Sequence, residues 1–599
     1  VTDGARIEVA PAAARRHERR VNLLTLCLLA LGVGLLTGVG AVVLRGLIGL
    51  IHNVMINGVW TFAYDANILE GPSRWGNWVF LSPILGGLVV VFLVDRFAPE
   101  AKGHGVPEVM DAIFYKRGNI RWQVAVIKSL ASALSIGSGA AVGREGPIIQ
   151  IGSALGSTFA QMLNLSTHQK ITLLSAGAGA GIAATFNTPI GGVLFAIEIL
   201  LPEVSNRTFL PVVISTGAAT LLGRILIGPN PAFTVPDLRF PPAASFGVEE
   251  ALACVALGVL CGLAAWAFIR VLVIMEDGFP KLLPNLYIQN IVGMACVGTM
   301  MVGLTHVFGH SYVDGVGYGV IQSILDHGIE AGGLLILLFG LKLLATSISL
   351  GSGASGGIFS PSLFLGATLG AAFASVAALV LPNSGLTTPS AAIVGMAAMV
   401  GAGTGGVLTA IIMIFEMTRD YAIIVPVIIA VAVAAGVRRQ LIPETIYTIK
   451  LRHRGHRIPK ERHVNLYLVR QARDVMERRF IVAEAGTTLR EAFDWEDVDD
   501  LRAIVVERDG HIVGLIPPRS GLWRESATNA DRKVDDYIER RIVTCRDIDL
   551  LSLVLARLKR RRSGAAIVFE GDGRPRVSNV VGVITKRAIA DAVIDDYGD

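Results

Sequence analysis

Gly143-Arg144-Glu145-Gly146-Pro147 lies between two long apolar runs, and the rest of the chain is read outward from it. It puts an arginine and a carboxylate where the flanking residues describe membrane interior. A charge at that depth costs roughly 3 kcal/mol or more, so such residues are usually kept for function. The glycines let backbone approach a ligand closely, and Pro147 suits the first turn of a helix. A helix starting here aims free N–H groups and the positive end of its dipole back at Glu145. The pattern describes an anion site with a carboxylate built in beside it.

Composition agrees. Of 599 residues, 52% are hydrophobic and only 17% charged, where a soluble domain carries roughly 25% charged. Apolar segments of about 20 residues, enough to span a bilayer, recur from Val21 to near Val437, and then the chain turns charged. One multi-pass membrane domain followed by a water-soluble domain is expected. The net charge of +5 is not a nucleic-acid signal, because the basic residues flank the membrane part, at Arg15–Arg20 and Arg438–Arg473. Loops Gly58–Trp75 and Gly228–Ala244 are poor in lysine and arginine, which by the positive-inside tendency puts both termini in the cytoplasm. The first apolar run, Val21 to about Val54, is too long for a cleaved leader. Cys27, Cys254, Cys261, Cys296 and Cys545 form no CxxC pair and no Cys/His cluster, so neither a metal site nor a disulfide framework is expected.

The membrane part contains a repeat. Gly103-His104-Gly105-Val106 matches Gly317-Tyr318-Gly319-Val320, Gly137–Ala140 matches Gly351–Ala354, and Gly191–Leu194 matches Gly405–Leu408, all 214 positions apart. Lys128 meets Lys342 and Pro147 meets Pro361 in the same register. Duplication with glycine-interrupted apolar segments is a transporter and channel signature, in which broken helices of the two halves meet near the midplane. The offset alone leaves open whether the halves are parallel or inverted.

Three loops share one grammar, glycines and then a proline opening an apolar helix, and they end at Pro107, Pro147 and Pro361. Three such helix starts brought together hold a small anion on N–H groups without a fixed buried cation. Arg144 and the helix headed by Pro107 raise the local potential. The segments GHGVP (Gly103–Pro107), GREGP (Gly143–Pro147) and GGIFSP (Gly356–Pro361) resemble the signature loops of the CLC chloride channel and transporter family. Thr445-Ile446-Tyr447-Thr448 resembles that family's pore tyrosine, and the similarity covers roughly Val21 to Arg454. The resemblance implies a mainly α membrane protein and an inverted repeat of broken, tilted helices. It also implies a homodimer in the lipid bilayer with one chloride pathway per subunit, and neither an enzyme nor a cofactor-dependent protein. Carried over by position, Glu145 is the gate: ionised, its carboxylate mimics a halide and fills the outer site; protonated, it swings away. The amides of Ile358 and Phe359 and the Tyr447 hydroxyl hold the central anion, with His104, Gly105 and Gly146 completing the anion-binding set.

Two positions depart from the family pattern. The family usually has serine where this chain has His104, whose imidazole donates one N–H when neutral and adds charge when protonated. Anion affinity is therefore expected to depend on pH near neutrality. In proton-coupled members a second acid follows the position of Glu198, and here that residue is Ile199. An aliphatic side chain carries no proton, which argues for a channel-like, uncoupled pore; the alternative is proton-coupled exchange with water or another relay. A rival of another class, an intramembrane protease with Ser355 in Gly353-Ala354-Ser355-Gly356 and His306 or His310 as base, is weighed against the loop match and set aside.

From about His463 short β-like runs alternate with amphipathic helices, again in duplicate. Glu477-Arg478-Arg479 repeats as Glu539-Arg540-Arg541, and Ala503–Val506 with Val513–Ile516 repeats as Ala565–Phe569 with Val581–Ile584. These units resemble a tandem pair of CBS domains, an α+β fold that often binds adenine nucleotides. The ribose-binding pattern is poor: Thr585 is followed by Ala588 where an aspartate belongs, and the first repeat offers Pro517 and Ser520. The expected organisation is a cytoplasmic segment 1–20 and a membrane domain 21–454, with repeat halves of about 80–226 and 295–440. A basic linker 455–473 and a CBS pair 474–599 follow, in a protein of the cell membrane.

Overall fold

A computed structural model describes residues 19–235, 247–380, 385–458, 470–488, 491, 503–516, 531–539, 541–571 and 575–597. Residues 1–18, most of the 455–473 linker, and Pro517 and Ser520 lie outside the described residues. Contacts divide the chain into two units, one of Glu18–Ile458 and one of Pro459–Asp599 with Val1–His17.

Seventeen α-helices among the described residues build the first unit. In order they are α1 (Leu23–His52), α2 (Leu81–Phe97), α3 (Val106–Phe114), α4 (Trp122–Gly137), α5 (Glu145–Met162), α6 (Thr167–Phe186), α7 (Pro189–Phe195), α8 (Asn206–Leu226) and α9 (Val248–Leu282). Then come α10 (Leu286–Phe308), α11 (Tyr318–Leu325), α12 (Gly332–Gly351), α13 (Phe359–Val380), α14 (Thr388–Thr404), α15 (Val407–Thr418), α16 (Ile424–Leu441) and α17 (Thr448–His453). Among the described residues eight helical stretches are long and apolar enough to cross a membrane. At 1.5 Å per residue α1, with 30 residues, and α9, with 35, exceed a hydrocarbon core of about 30 Å, so they cross it tilted. By contrast α3, α7, α11 and α15 have 9, 7, 8 and 12 residues and reach part of the way. Of these, α3 and α11 start on buried residues, Val106 and Tyr318, inside the protein, whereas Ile190 and Leu408 in the first turns of α7 and α15 are exposed.

The duplication is present, but the single 214 register needs correction. At the first loop the matched positions are 212 apart. Gly105 and Gly317 cap α3 and α11 with φ of +83° and +80°. Lys128 Nζ donates to the carbonyls of Ala101 (2.9 Å) and Gly103 (2.6 Å), and Lys342 Nζ does the same to Val313 (2.7 Å) and Gly315 (2.9 Å). In the middle the offset is 214, where Gly143 N donates to Gly357 O (2.7 Å) and Gly357 N to Gly143 O (2.5 Å). Further on it is 218: α6 closes on Asn187 and α14 on Gly405, both left-handed. Connections between helices absorb the added residues, and abundant glycine let the wrong neighbours match. Tyr318 is the counterpart of Val106, and Gly405-Gly406 precede α15 whereas Gly191-Gly192 lie inside α7.

The halves meet reciprocally. Besides the exchange at Gly143 and Gly357, Glu198 accepts from the N–H groups of Leu408 (3.1 Å) and Thr409 (2.8 Å) at the start of α15. Glu416 accepts from Ile190 (3.1 Å) and Gly191 (2.7 Å) at the start of α7. Swapped contacts between counterparts are what a twofold axis generates and a translated repeat does not, so the halves are related by a twofold axis. Within each half a helix pair closes on glycine: a Cβ on Gly152 would meet Gly177 O at 2.2 Å, and one on Gly366 would meet Gly395 O at 2.3 Å.

The described residues of the second unit form two three-stranded sheets of one topology, β1 (Phe480–Glu484), β2 (Ala503–Arg508), β3 (His511–Ile516) and β4 (Val543–Arg546), β5 (Ala565–Phe569), β6 (Val580–Thr585). In each, the first pair is parallel and the second antiparallel. Helices α18 (Ala472–Val475), α19 (Leu551–Arg561) and α20 (Lys586–Tyr597), with short 3-10 turns at Val534–Tyr537 and Val577–Asn579, complete the described elements. Alternation along β5 sends Ala566 and Val568 toward Leu551, Val554 and Leu558 of α19, and Ala565 and Ile567 toward Ala503, Val505 and Leu515 of the other sheet. Glu477, ahead of the first sheet, bridges Val583 of the second, and Glu539 bridges Leu515 of the first.

Candidate anion site

The three glycine loops converge. Gly103 bridges Ser355, and Gly143 bridges Gly357. A Cβ on Gly146 would lie 2.2 Å from His104 O and 3.0 Å from Gly357 Cα, so only glycine lets the backbones approach this closely. Pro107, Pro147 and Pro361 stand in the first turns of α3, α5 and α13, where their lack of an N–H is harmless. The remaining N–H groups of three helix starts therefore face one small region.

Glu145 is the first residue of α5 and is fully buried. The Tyr318 hydroxyl donates to its Oε1. Ser360 donates to Oε2 twice, from Oγ (2.5 Å) and from the backbone N (3.3 Å). Tyr318 OH and Ser360 Oγ are themselves 3.0 Å apart. Arg144 caps α5 but turns from Glu145, its guanidinium lying 5.2 Å from the centre of the Tyr318 ring, and it lines a small cavity with Arg45. Sequence reasoning missed Tyr318 and Ser360. Both were visible only as parts of glycine-proline patterns, and Tyr318 was matched to the wrong counterpart.

His104 and Tyr447 are each 1% exposed, with ring centres 6.0 Å apart. Neither ring nitrogen of His104 has a hydrogen-bond partner among the described residues. Ile358 and Phe359, at 2% and 3% exposure, form the buried start of α13. The loop thus brings His104, Gly105, Gly146, Ile358, Phe359 and Tyr447 into one buried neighbourhood.

Elsewhere the expected residues have other tasks. Glu198 caps α15 and also accepts from Thr409 Oγ1 at 2.7 Å, while Ile199 is buried with its Cδ1 3.1 Å from the Cβ position of Gly406. Thr585 donates to Glu477 Oε2 (2.8 Å) and accepts from Ala588 N (3.1 Å), so its hydroxyl caps α20. Ser355 bonds Ser132 Oγ (3.0 Å) and Ala101 O (2.9 Å). His306 bonds Asn77 and His310 the carbonyl of Glu70, which leaves the protease reading without its base.

Helix starts of α5, α11 and α13 meet at one buried carboxylate within a multi-pass membrane unit, the layout of a transport protein. Comparison places it more narrowly. The profile of the family described as voltage gated chloride channel matches residues 86–439. The H(+)/Cl(-) exchange transporter ClcA of Vibrio cholerae is 33% identical over 386 residues, 63% of this chain and 79% of that protein. The ClcA of Salmonella arizonae is 32% identical over 419 residues, covering 69% and 85%. A slow cyanobacterial Cl-/H+ antiporter of known structure superposes with a TM-score of 0.62 at 28% identity, over 72% of this chain and 97% of that one. A eukaryotic CLC transporter shares the fold with a TM-score of 0.59 at 19% identity, over 94% and 98%. The chain belongs to the voltage-gated chloride channel family.

Proposed function

We propose that the chain exchanges chloride for protons across a cell membrane, with Glu145 as both gate and proton carrier. The observation that carries this reading is the enclosure of one carboxylate on donors that suit a halide equally well, two hydroxyls and a helix-start N–H. An ionised Glu145 and an anion compete for those donors. Protonation removes the carboxylate's claim and admits the anion, so proton binding and anion entry are linked at one place. The relatives named H(+)/Cl(-) exchange transporters support the exchanger over the channel. Arg45 and Arg144 add positive potential beside one approach without ligating. Gly105, Gly146, Ile358, Phe359, His104 and Tyr447 would hold the central anion, with the dipole of the Pro107 helix assisting.

One observation favours the uncoupled channel: Ile199 stands buried where a relay acid belongs, and neighbouring Glu198 is engaged as a helix cap. Reversal potential in a planar bilayer under opposed chloride and pH gradients separates the two. Exchange displaces it from the chloride Nernst value, and a value at the Nernst potential for chloride ends the exchanger reading.

The family resemblance further supports a homodimer, which mass measurement in detergent tests, and cytoplasmic termini. The duplicated β-α units support a CBS pair after the linker. The occupied Thr585 hydroxyl favours a structural role for that pair over adenine-nucleotide binding, and calorimetry with ATP and AMP decides between them.

A further inference from the structure

Glu145 takes no hydrogen bond from its neighbour Arg144; its described partners come from two other helices. Tyr318 opens α11 and Ser360 opens the first turn of α13, 173 and 215 positions away. Tyr318 is fully enclosed, with Phe233 and Phe186 against its ring at 5.2 and 6.4 Å and Arg144 over its face at 5.2 Å. Packing on three sides fixes the ring whose hydroxyl donates to the carboxylate. The backbone that aims it is equally fixed, because buried Lys342 ties down the carbonyls of Val313 and Gly315 just ahead of α11. A phenol and a serine hydroxyl 3.0 Å apart form a pair of donors with a common target.

We propose that Tyr318 and Ser360 are the latch of the gate: their hydroxyls hold the Glu145 carboxylate when it is closed and pass to a chloride ion at the same place when it withdraws. This rests on the reading of Glu145 as the gate. While the carboxylate holds both hydroxyls an anion finds no donor there, so the latch sets how readily the gate opens. The groups facing Glu145 are few. Arg144 precedes it as the cap of α5, Tyr318 reaches it from α11 and Ser360 from α13, and the His104 backbone packs on Gly146 with the Tyr447 ring 6.0 Å from the imidazole. Of these, Tyr318 and Ser360 touch the carboxylate oxygens through side chains. Tyr318 is therefore a positioning residue for the closed gate and an anion ligand for the open one.

The test uses the full chain in liposomes, with chloride efflux followed from pH 4.5 to 8 for wild type, Tyr318→Phe, Ser360→Ala, Glu145→Ala and Glu145→Ala/Tyr318→Phe. Loss of one charge-assisted donor should loosen the closed gate in Tyr318→Phe, so that efflux at neutral pH rises severalfold and the pH profile moves toward neutral. Ser360→Ala should shift the same way and keeps the test open should the tyrosine variant fold poorly. Glu145→Ala should flatten the profile. In that background Tyr318→Phe should leave the profile flat and weaken bromide binding, read by calorimetry, about three- to tenfold. Unmoved profiles in both single variants, with a flat Glu145→Ala, would overturn the latch and spare the gate. A Glu145→Ala profile that keeps its pH dependence overturns the gate and the latch with it.

Discussion

His104 shows what one substituted side chain does to the site. Its imidazole is buried and its two nitrogens find no partner among the described residues, an arrangement that costs about 1–3 kcal/mol unless something bonds to it. An anion lying between His104 and Tyr447 would accept from the ring N–H and remove that cost. A neutral imidazole still has one N–H to give, so His104 acts on anion affinity as a buried donor. Replacing His104 by serine, which keeps a donor, should keep transport with half-saturating chloride little changed, whereas His104→Ala should raise it by roughly tenfold. An alanine variant with unchanged half-saturating chloride would remove His104 from the account. Glu145, His104 and Tyr447 were legible because each sits in a short motif of fixed spacing. Tyr318 and Ser360 were not, because what matters about them is which helix start lies opposite, and that is decided by the fold.

At the level of helices, the sequence announced duplication through its glycines but could not say which glycines correspond. Composition produces chance matches in a single register, whereas contacts reveal steps of 212, 214 and 218. What repeats in space is a function of position: a buried lysine tying a loop, a glycine pair closing two helices, a glutamate capping the opposite half. The glycine pair permits a direct check. A methyl group on Gly152 or Gly366 would sit 2.2 or 2.3 Å from a backbone carbonyl of the adjoining helix, and backbone cannot step aside as a side chain can. Gly152→Ala and Gly366→Ala should therefore each destabilise the membrane unit by about 1–3 kcal/mol, and by similar amounts. Gly217→Ala and Gly303→Ala, with nothing within 4 Å, should be neutral or slightly stabilising. Thermal unfolding in detergent measures all four, and a neutral Gly366→Ala beside a damaging Gly152→Ala would break the proposed equivalence.

On the scale of the molecule, two units with different solvents must each be stable by their own means. The membrane unit relies on tilted apolar helices and close backbone contact, and the second unit on two small sheets with helices against them. Hydropathy showed this division in the sequence, and the β-α alternation showed the second unit's class. The bridges of Glu477 to Val583 and Glu539 to Leu515, which bind one repeat to the other, had no sequence signal. Cys545 offers a probe of that unit alone. It is 1% exposed on β4, and burial, with Asp549 adding to it, pushes its thiol up to about 12, against an ordinary value near 8.5. In a Cys296→Ala background, the described cysteines that remain are buried, so maleimide at pH 7.5 should label the native chain at least about a hundredfold more slowly than a free thiol. Because the folded-state value is the higher one, the contribution of Cys545 to stability is complete below about pH 8.5. It declines as pH rises toward 12, where the unfolded chain has released its proton and the folded chain still holds it. The urea midpoint for Cys545 labelling should thus be lower at pH 9.5 than at pH 7.5, and a Cys545→Ala variant followed by fluorescence should lose that part of the difference. Rapid labelling without urea would mean that β4 does not close over the thiol.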